Sequence, residues 1–251
     1  MAENARLTDA EAGPANSDQA AAPHQSNLRR CFEQIRELIV HGRLSPGSRI
    51  MEGELAARLG VSRTPVRSAL HMLQKEGYIL ASSEGARKVL LSVAPLTKED
   101  ANELYPIVGR LEGLAARSTA RLDPAARVSI VQKLREINDE LRSLANEGRS
   151  DPNRIFELDM NFHQTIVDAS AGSRLRALHS AIKPQTERYW RLYASSILDQ
   201  LGISIGEHLM IIQAIENGDP AAAERAVQMN WENGAERLCQ VIERHGERGS
   251  W

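Results

Sequence analysis

The sequence predicts a mainly α chain: a small N-terminal head closed by a β-hairpin, then a C-terminal antiparallel all-helical bundle. Three observations carry this. Apolar residues recur at helical spacing from Leu28 onward. The one strand-like pair of runs, YILAS and KVLLSV, flanks Gly85. After Pro95 no strand pattern returns, and acid–proline pairs and glycines cut the remainder into helix lengths joined by short loops.

Residues 1–27 are rich in Ala, Asn, Asp, Gln and Pro and nearly lack large apolar side chains. Such a segment buries too little surface to offset its ordering entropy, so a disordered tail is expected. LRRCFEQIRELIVHGRL follows, with Leu28, Phe32, Ile35 and Ile39 on one helical face, and Ser45-Pro46-Gly47 ends it. Two shorter helices are separated by Gly60-Val61-Ser62. Leu55, Ala56 and Leu59 line the inner face of the first. Gly60 accepts a left-handed turn cheaply, and Ser62 is a natural N-cap for the second. Within that second helix Val66, Ala69, Leu70 and Leu73 must face inward. The opposite side presents Arg63, Thr64, Arg67 and His71, with Arg63, Arg67 and His71 in one row at intervals of four. Helix, glycine turn, helix and hairpin in that order make residues 28–94 a winged helix-turn-helix domain. Its wing turns through SSEGAR, longer than the tightest hairpins, with Arg87 and Lys88 near the tip.

The bundle is expected over residues 95–246. LTKEDANELYPIVGRLEGLAARSTARL is a helix interrupted near Pro106. Asp123-Pro124 and Asp151-Pro152 each open a helix with an N-cap acid and a proline in the first turn. Ala171-Gly172 precedes a helix that Pro184 should kink, and two more meet at Asn217-Gly218-Asp219-Pro220. That makes about six helices, with residues 247–251 a flexible C-terminus.

Composition excludes several classes. The chain has 251 residues, a net charge of −2, 42% hydrophobic and 4% aromatic residues. No stretch approaches the ~18 consecutive apolar residues that span a bilayer, and the start lacks a basic-then-apolar leader. Cys31 and Cys239 form neither a disulfide framework nor a metal knuckle, so a reducing cytoplasm is expected. The charge is unevenly distributed: residues 1–27 carry one Arg against four acids, 28–93 eleven Lys/Arg against six, and 94–251 nineteen against twenty-three. A basic segment on an acidic remainder suits a nucleic-acid reader attached to something else.

The helix beginning at Arg63 has what double-stranded DNA recognition needs. Its free N-terminal amides, with Ser62 and Thr64, suit a phosphate. An arginine on the exposed face can pair bidentately with guanine in the major groove. The stretch RLSPGSRIMEGELAARLGVSRTPVRSALHMLQKEGYI resembles the winged helix-turn-helix of GntR-family bacterial transcription regulators. The resemblance implies Arg63 and Arg67 as base or backbone readers and Ser62 and Thr64 as phosphate anchors. One departure is Gly53, where the family often carries an arginine in an E-R-E-L motif.

In the bundle, Asp159 and His163 are four apart and share a helix face, a workable pair of metal ligands. His208 and Asn230 stand at about the same height on antiparallel neighbours joined near Gly218. NELYPIVGRLEGLAA, DMNFHQTIV and EHLMIIQAIENGD resemble the FadR-like subgroup, whose helical FCD domain dimerises and holds an effector. In its metal-binding members these four positions are Asp, His, His and His; here the fourth is Asn230, a weaker ligand. Three good ligands still suit Zn²⁺, with a polar cavity binding ligand by hydrogen bonds alone as the alternative. The subgroup's effector-binding arginine, four residues before the Glu of an L-E motif, is replaced by Val108. Arg110 is turned about 200° away on the helix, so an acid-bearing effector would meet the metal, or Arg188 or Arg191 in ERYWRLY, with Arg188 the named candidate. Val108 and Trp190 equally suit a less charged, larger ligand. His179 is read as ordinary packing, with lining of the cavity as the alternative.

A ligand-responsive, homodimeric repressor on a palindromic operator accounts for both halves. A metal-dependent enzyme with a nucleic-acid-binding head would need a general base beyond the ligands, a nucleophile motif or a phosphate loop, and none is apparent, so the chain is not read as an enzyme. An architectural DNA-binding dimer is the third reading.

Overall fold

The computed structural model describes residues 23–83, 89–146, 151–197 and 200–249. Helix α1 (Pro23–Val40) begins inside the segment expected to be tail; residues 1–22 lie outside the described residues. Its face of Cys31, Phe32, Ile35 and Ile39 is buried in the core of the head. Helix α2 (Glu52–Leu59) ends at Gly60, which takes a left-handed φ of 66° as expected. Helix α3 (Arg63–Lys75) buries Pro65, Val66, Ala69, Leu70 and Leu73. The hairpin is β2 (Ile79–Ser83) with β3 (Val89–Val93), Ile79 opposite Val93. A two-residue strand β1 (Arg49–Ile50), too short to show a period in the sequence, joins β3 on its other edge, giving the antiparallel order β1-β3-β2. The wing tip, with Arg87 and Lys88, lies outside the described residues.

The bundle comprises α4 (Lys98–Thr119), α5 (Pro124–Asn146), α6 (Pro152–Ser170), α7 (Ser173–Ile182), α8 (Pro184–Ile197), α9 (Leu201–Glu216) and α10 (Pro220–His245). The acid–proline starts expected at Asp123 and Asp151 act as predicted, and Asp219-Pro220 adds a third of the same kind. Asp123, Asp151 and Asp219 each accept first-turn amides, at 2.9–3.1 Å. Two proline expectations need correction. Pro106 does not interrupt α4, because proline removes a single backbone bond and the buried face around it, Leu104, Tyr105 and Val108, holds the helix straight through. Pro184 does more than kink: it separates α7 from α8 at Lys183, so there are seven bundle helices among the described residues rather than six. Helices α4 and α10 pack closely because Gly109 lacks a side chain. A Cβ there would lie 2.8 Å from Trp231 Cβ.

The chain end differs from expectation as well. Residues 247–249 are held: Leu96 and Arg248 exchange two backbone hydrogen bonds at 2.8 and 3.1 Å, and Lys98 N donates to Glu247 Oε1 at 3.0 Å. Gly249 lies so close to Pro46-Gly47 that a Cβ on either glycine would clash. Helix α8 ties head to bundle in a second place. Gln185 Nε2 donates to Glu76 O at 2.6 Å, and Arg188 donates to Ala94 O.

Candidate functional site

The head exposes the expected surface. Ser62, Arg63, Thr64, Arg67 and His71 are all exposed on the side of α3 opposite its buried stripe. Ser62 is the N-cap by position, but its side chain makes no capping bond. Arg67 is gripped by Glu52, at the first turn of α2. Its Nε donates to both carboxylate oxygens at 3.1 Å and its Nη2 to Oε2 at 2.8 Å. That hydrogen bonding, assisted by the charge of Arg67 and Arg63, holds the Glu52 carboxyl below its ordinary pKa and keeps it ionised. Sequence spacing did not disclose this pair, because fifteen residues and a turn separate its members.

In the bundle the structure brings the four predicted positions into one neighbourhood. Asp159 and His163 come from α6 and His208 from α9, with one ligand atom from each lying within 4.8 Å of the others. Asn230, on α10, lines the same small cavity as Asp159 and His163, a space of about 80 Å³ walled by Tyr105, Phe156, Trp190 and Trp231. Helix α9 presents His208 on a buried face with Ile205, Ile211 and Ile212, which is why it points inward.

The surroundings fix the orientation and protonation of these imidazoles. Asn138 donates from Nδ2 to Ile205 O at 3.2 Å, so its Oδ1 is the acceptor that takes His208 Nδ1–H at 3.1 Å. His208 Nε2 is then a bare lone pair. It is buried, has no hydrogen-bond partner among the described residues, and stands 3.6 Å from Asp159 Oδ1. Burial, helped by the charges of His163 and Arg237, pushes the His208 pKa well below its usual value, so the ring is neutral, as a ligand must be. Phe162 stacks on it at 3.9 Å between centroids and fixes the ring plane.

His163 is held from the other side by Glu112, a carboxylate buried on α4. His163 Nδ1 stands 2.7 Å from Glu112 Oε2, in ion-pair contact though off the line of a good N–H hydrogen bond. Glu112 also takes Trp231 Nε1–H at 2.7 Å and lies 2.8 Å from His179 Nε2. Burial opposes ionisation of Glu112, but the His163 charge and the hydrogen bonds outweigh it and hold the carboxyl well below the usual range. Burial likewise opposes a charged His163, and Glu112 outweighs it, raising the His163 pKa. With Nδ1 committed to Glu112, Nε2 is the nitrogen left for a metal, the arrangement in which an outer carboxylate orients a ligating imidazole. His179 is therefore not ordinary packing but part of the Glu112 cluster.

Two further placements depart from the sequence reading. Arg188 is not among the residues lining the cavity; it is buried beneath the head, on Ala94 O. The arginine at the cavity is Arg237, paired with Glu207 at 2.8 Å, and Glu207 also accepts from Asn230 Nδ2 at 2.8 Å. Glu112 and Asn138 had a legible signal that went unused: each is a polar residue on an otherwise apolar stripe, Val108–Glu112–Ala116 and Leu134–Asn138–Leu141. Arg237 had none, being one of many polar residues on α10; Glu207 stands out on the apolar helix α9, but its spacing gives no hint of Arg237 thirty residues on.

Residues 28–89 match the family described as bacterial regulatory proteins, gntR family, and residues 103–233, more than half of the chain, match the FCD domain. The chain belongs to the GntR family of bacterial transcriptional regulators. This regulator is 30% identical over 200 residues to a probable D-xylose utilization operon transcriptional repressor of Paenarthrobacter nicotinovorans, covering 77% of this chain and 82% of that one. It is 26% identical to the gluconate operon transcriptional repressor of Bacillus subtilis, covering 83% and 84%. Its fold is similar to that of McbR/YncC of E. coli, with a TM-score of 0.64 at 21% identity, covering 85% of this chain and 97% of that one. The regulator is thus a DNA-binding transcription factor with an FCD domain, and no helix among the described residues is long and apolar enough to cross a membrane.

Proposed function

We propose that the regulator is a cytoplasmic homodimeric repressor that reads a palindromic operator through α3 and is released by an acid-bearing small molecule bound at a metal in the FCD domain. On this reading Arg63 and Arg67 meet bases or backbone in the major groove, with His71 in the same row. Ser62, whose hydroxyl is not spent on capping, anchors a phosphate with Thr64, and Arg87 and Lys88 on the wing add contacts. The repressors of D-xylose and gluconate operons among the relatives support a carbon-catabolic operon as target.

The observation that carries the metal reading is the bare, buried Nε2 of His208 facing Asp159. A polar atom so enclosed costs free energy unless something binds it. Asp159, His163 and His208 would hold Zn²⁺, with Asn230 Oδ1 beside them as a weak fourth donor. A bound Zn²⁺ supplies a Lewis acid on which an effector carboxylate can dock. Arg237, at the edge of the cavity, offers the second charge for that carboxylate. Helix α8 carries the consequence outward, because Thr186 and Trp190 line the cavity while Gln185 and Arg188 grip the head. An effector that fits one position of α8 better than another shifts the population of DNA-competent heads.

Purified protein stripped with a chelator is expected to melt at a lower temperature and to regain stability with one equivalent of Zn²⁺ per chain. At a hundredfold excess over Kd the gain is about 2.7 kcal/mol. His208→Ala should abolish the response, and a chelated wild type that melts unchanged would leave the cavity as a hydrogen-bonding site only. The sign with pH follows from His163. Its folded pKa lies above the unfolded value, so its contribution is complete below pH ~6.5 and is lost as pH rises through the folded pKa. Chelated protein is expected to lose stability above pH 6.5. Zn²⁺-loaded protein, in which the metal replaces the Nε2 proton, should not decline in that window, and equal slopes for the two forms would count against His163 as a ligand.

A further inference from the structure

Glu52 sits in the first turn of α2, beside Gly53, on the face of the head that carries Arg63 and Arg67. A guanidinium has two flat edges with paired N–H donors. Glu52 occupies the side edge of Arg67, formed by Nε and Nη2, with three contacts of 2.8–3.1 Å. The terminal edge, formed by Nη1 and Nη2, is the one left for another partner. The exposures are ordered accordingly: the Arg67 side chain is 72% exposed and the Glu52 side chain 29%, so the carboxylate lies beneath and the guanidinium outermost. An exposed ion pair of this kind contributes little to folding, so its consequence has to be sought where the arginine meets DNA.

Next to Glu52, a Cβ on Gly53 would lie 3.4 Å from Arg63 Nη2 and 3.7 Å from Arg63 Cζ. The Arg63 guanidinium therefore lies across bare backbone, in the place that a longer side chain at position 53 would claim. Arg67 thus pairs with Glu52 while Arg63 lines the same groove beside it.

We propose that Glu52 is a specificity-determining residue of this regulator: its carboxylate holds the side edge of Arg67 so that the terminal edge meets a base, and its charge offsets the attraction of Arg67 to phosphates along any duplex. The inference rests on α3 as the reading helix and on Arg67 as a base reader. A free arginine beside DNA finds phosphates everywhere, and every added phosphate contact strengthens binding without regard to sequence. A carboxylate fixed behind the fork subtracts from that common term. It leaves the bidentate pairing with guanine intact, because the Nη1/Nη2 edge is geometrically separate from the edge it occupies. Glu52 acts through Arg67 and is a positioning residue rather than a reader.

The experiment uses the full-length protein. Wild type first selects a preferred duplex from a random-sequence pool. Affinities for that duplex and for a scrambled one of equal length are then measured over a range of salt for wild type, Glu52→Gln, Arg67→Ala and the double variant. Glu52→Gln is expected to bind the scrambled duplex about three- to tenfold more tightly and to steepen the salt dependence by roughly one to two phosphates per dimer. Its ratio of selected to scrambled affinity should shrink by about the same factor. In the Arg67→Ala background the substitution should leave that ratio unchanged. Glu52→Ala, which lacks the amide as well, should move the ratio in the same direction as Gln. A ratio that stays constant in the single variants overturns the proposal, as does a shrinkage that persists without Arg67. A wild type that selects no sequence instead overturns the reading of α3 beneath it.

Discussion

Glu112→Ala is expected to destabilise the FCD domain by about 3–5 kcal/mol, the usual cost of removing one partner from a buried ion pair. The carboxylate is 1% exposed and is shared by His163, His179 and Trp231. Its loss leaves the Trp231 indole N–H without its acceptor and the His163 ring without its nearest counter-charge, 2.7 Å away. Glu112→Gln keeps an acceptor oxygen and the volume but removes the charge, so it should lie between wild type and alanine. Denaturant unfolding of chelated protein at pH 6, followed by tryptophan fluorescence, measures both. A loss under about 1 kcal/mol for alanine would mean that the cluster rearranges to satisfy its donors without a carboxylate. The same substitution should weaken Zn²⁺ binding roughly 10- to 100-fold, because an outer-shell acceptor orients the ligating ring.

Arg67→Ala is expected to weaken binding to the selected operator roughly 5- to 150-fold for each half-site, the range for losing one good bidentate pair with a base. Binding to a scrambled duplex should fall far less, and Zn²⁺-dependent stabilisation should be untouched, since Arg67 is on the exposed face of the head and distant in sequence from the cavity. Equilibrium titration of both duplexes decides it. An equal loss on the two would make Arg67 a phosphate contact and would leave the base reading to Arg63.

Both predictions concern residues with neighbours that spacing alone does not disclose, and this marks how far the sequence carried. The exposed row Arg63–Arg67–His71 was legible because helical periodicity assigns Val66, Ala69, Leu70 and Leu73 to the core, and the other side of the helix follows by geometry. Asp159 and His163 were legible for the same reason, and His208 opposite Asn230 because a short joint fixes the height of antiparallel neighbours. Helix starts at Asp123, Asp151 and Asp219 were local in cause, an acid and a proline acting on the next few amides.

What the sequence misjudged were particular contacts set by how the helices pack. Pro106 was assigned too much disruptive force and Pro184 too little, since packing around each proline decides whether the helix survives. Arg188 was a candidate for the effector because Val108 replaces the expected arginine and Arg110 is turned away, yet it donates to Ala94 O, and the arginine lining the cavity is Arg237. His179 passed for packing because the carboxylate it meets stands 67 residues earlier.

Periodicity and capping by themselves determined a basic winged head, a helical bundle behind it, and which face of each helix turns inward, because those are properties of a few consecutive residues in water. Only the tertiary structure decided that Glu112 and Asn138 orient the two imidazoles, that Glu52 grips Arg67, and that α8 touches cavity and head at once. Those pairings arise from how whole helices stack, and a buried charge or a bare nitrogen acquires its chemistry from the neighbours that stacking supplies.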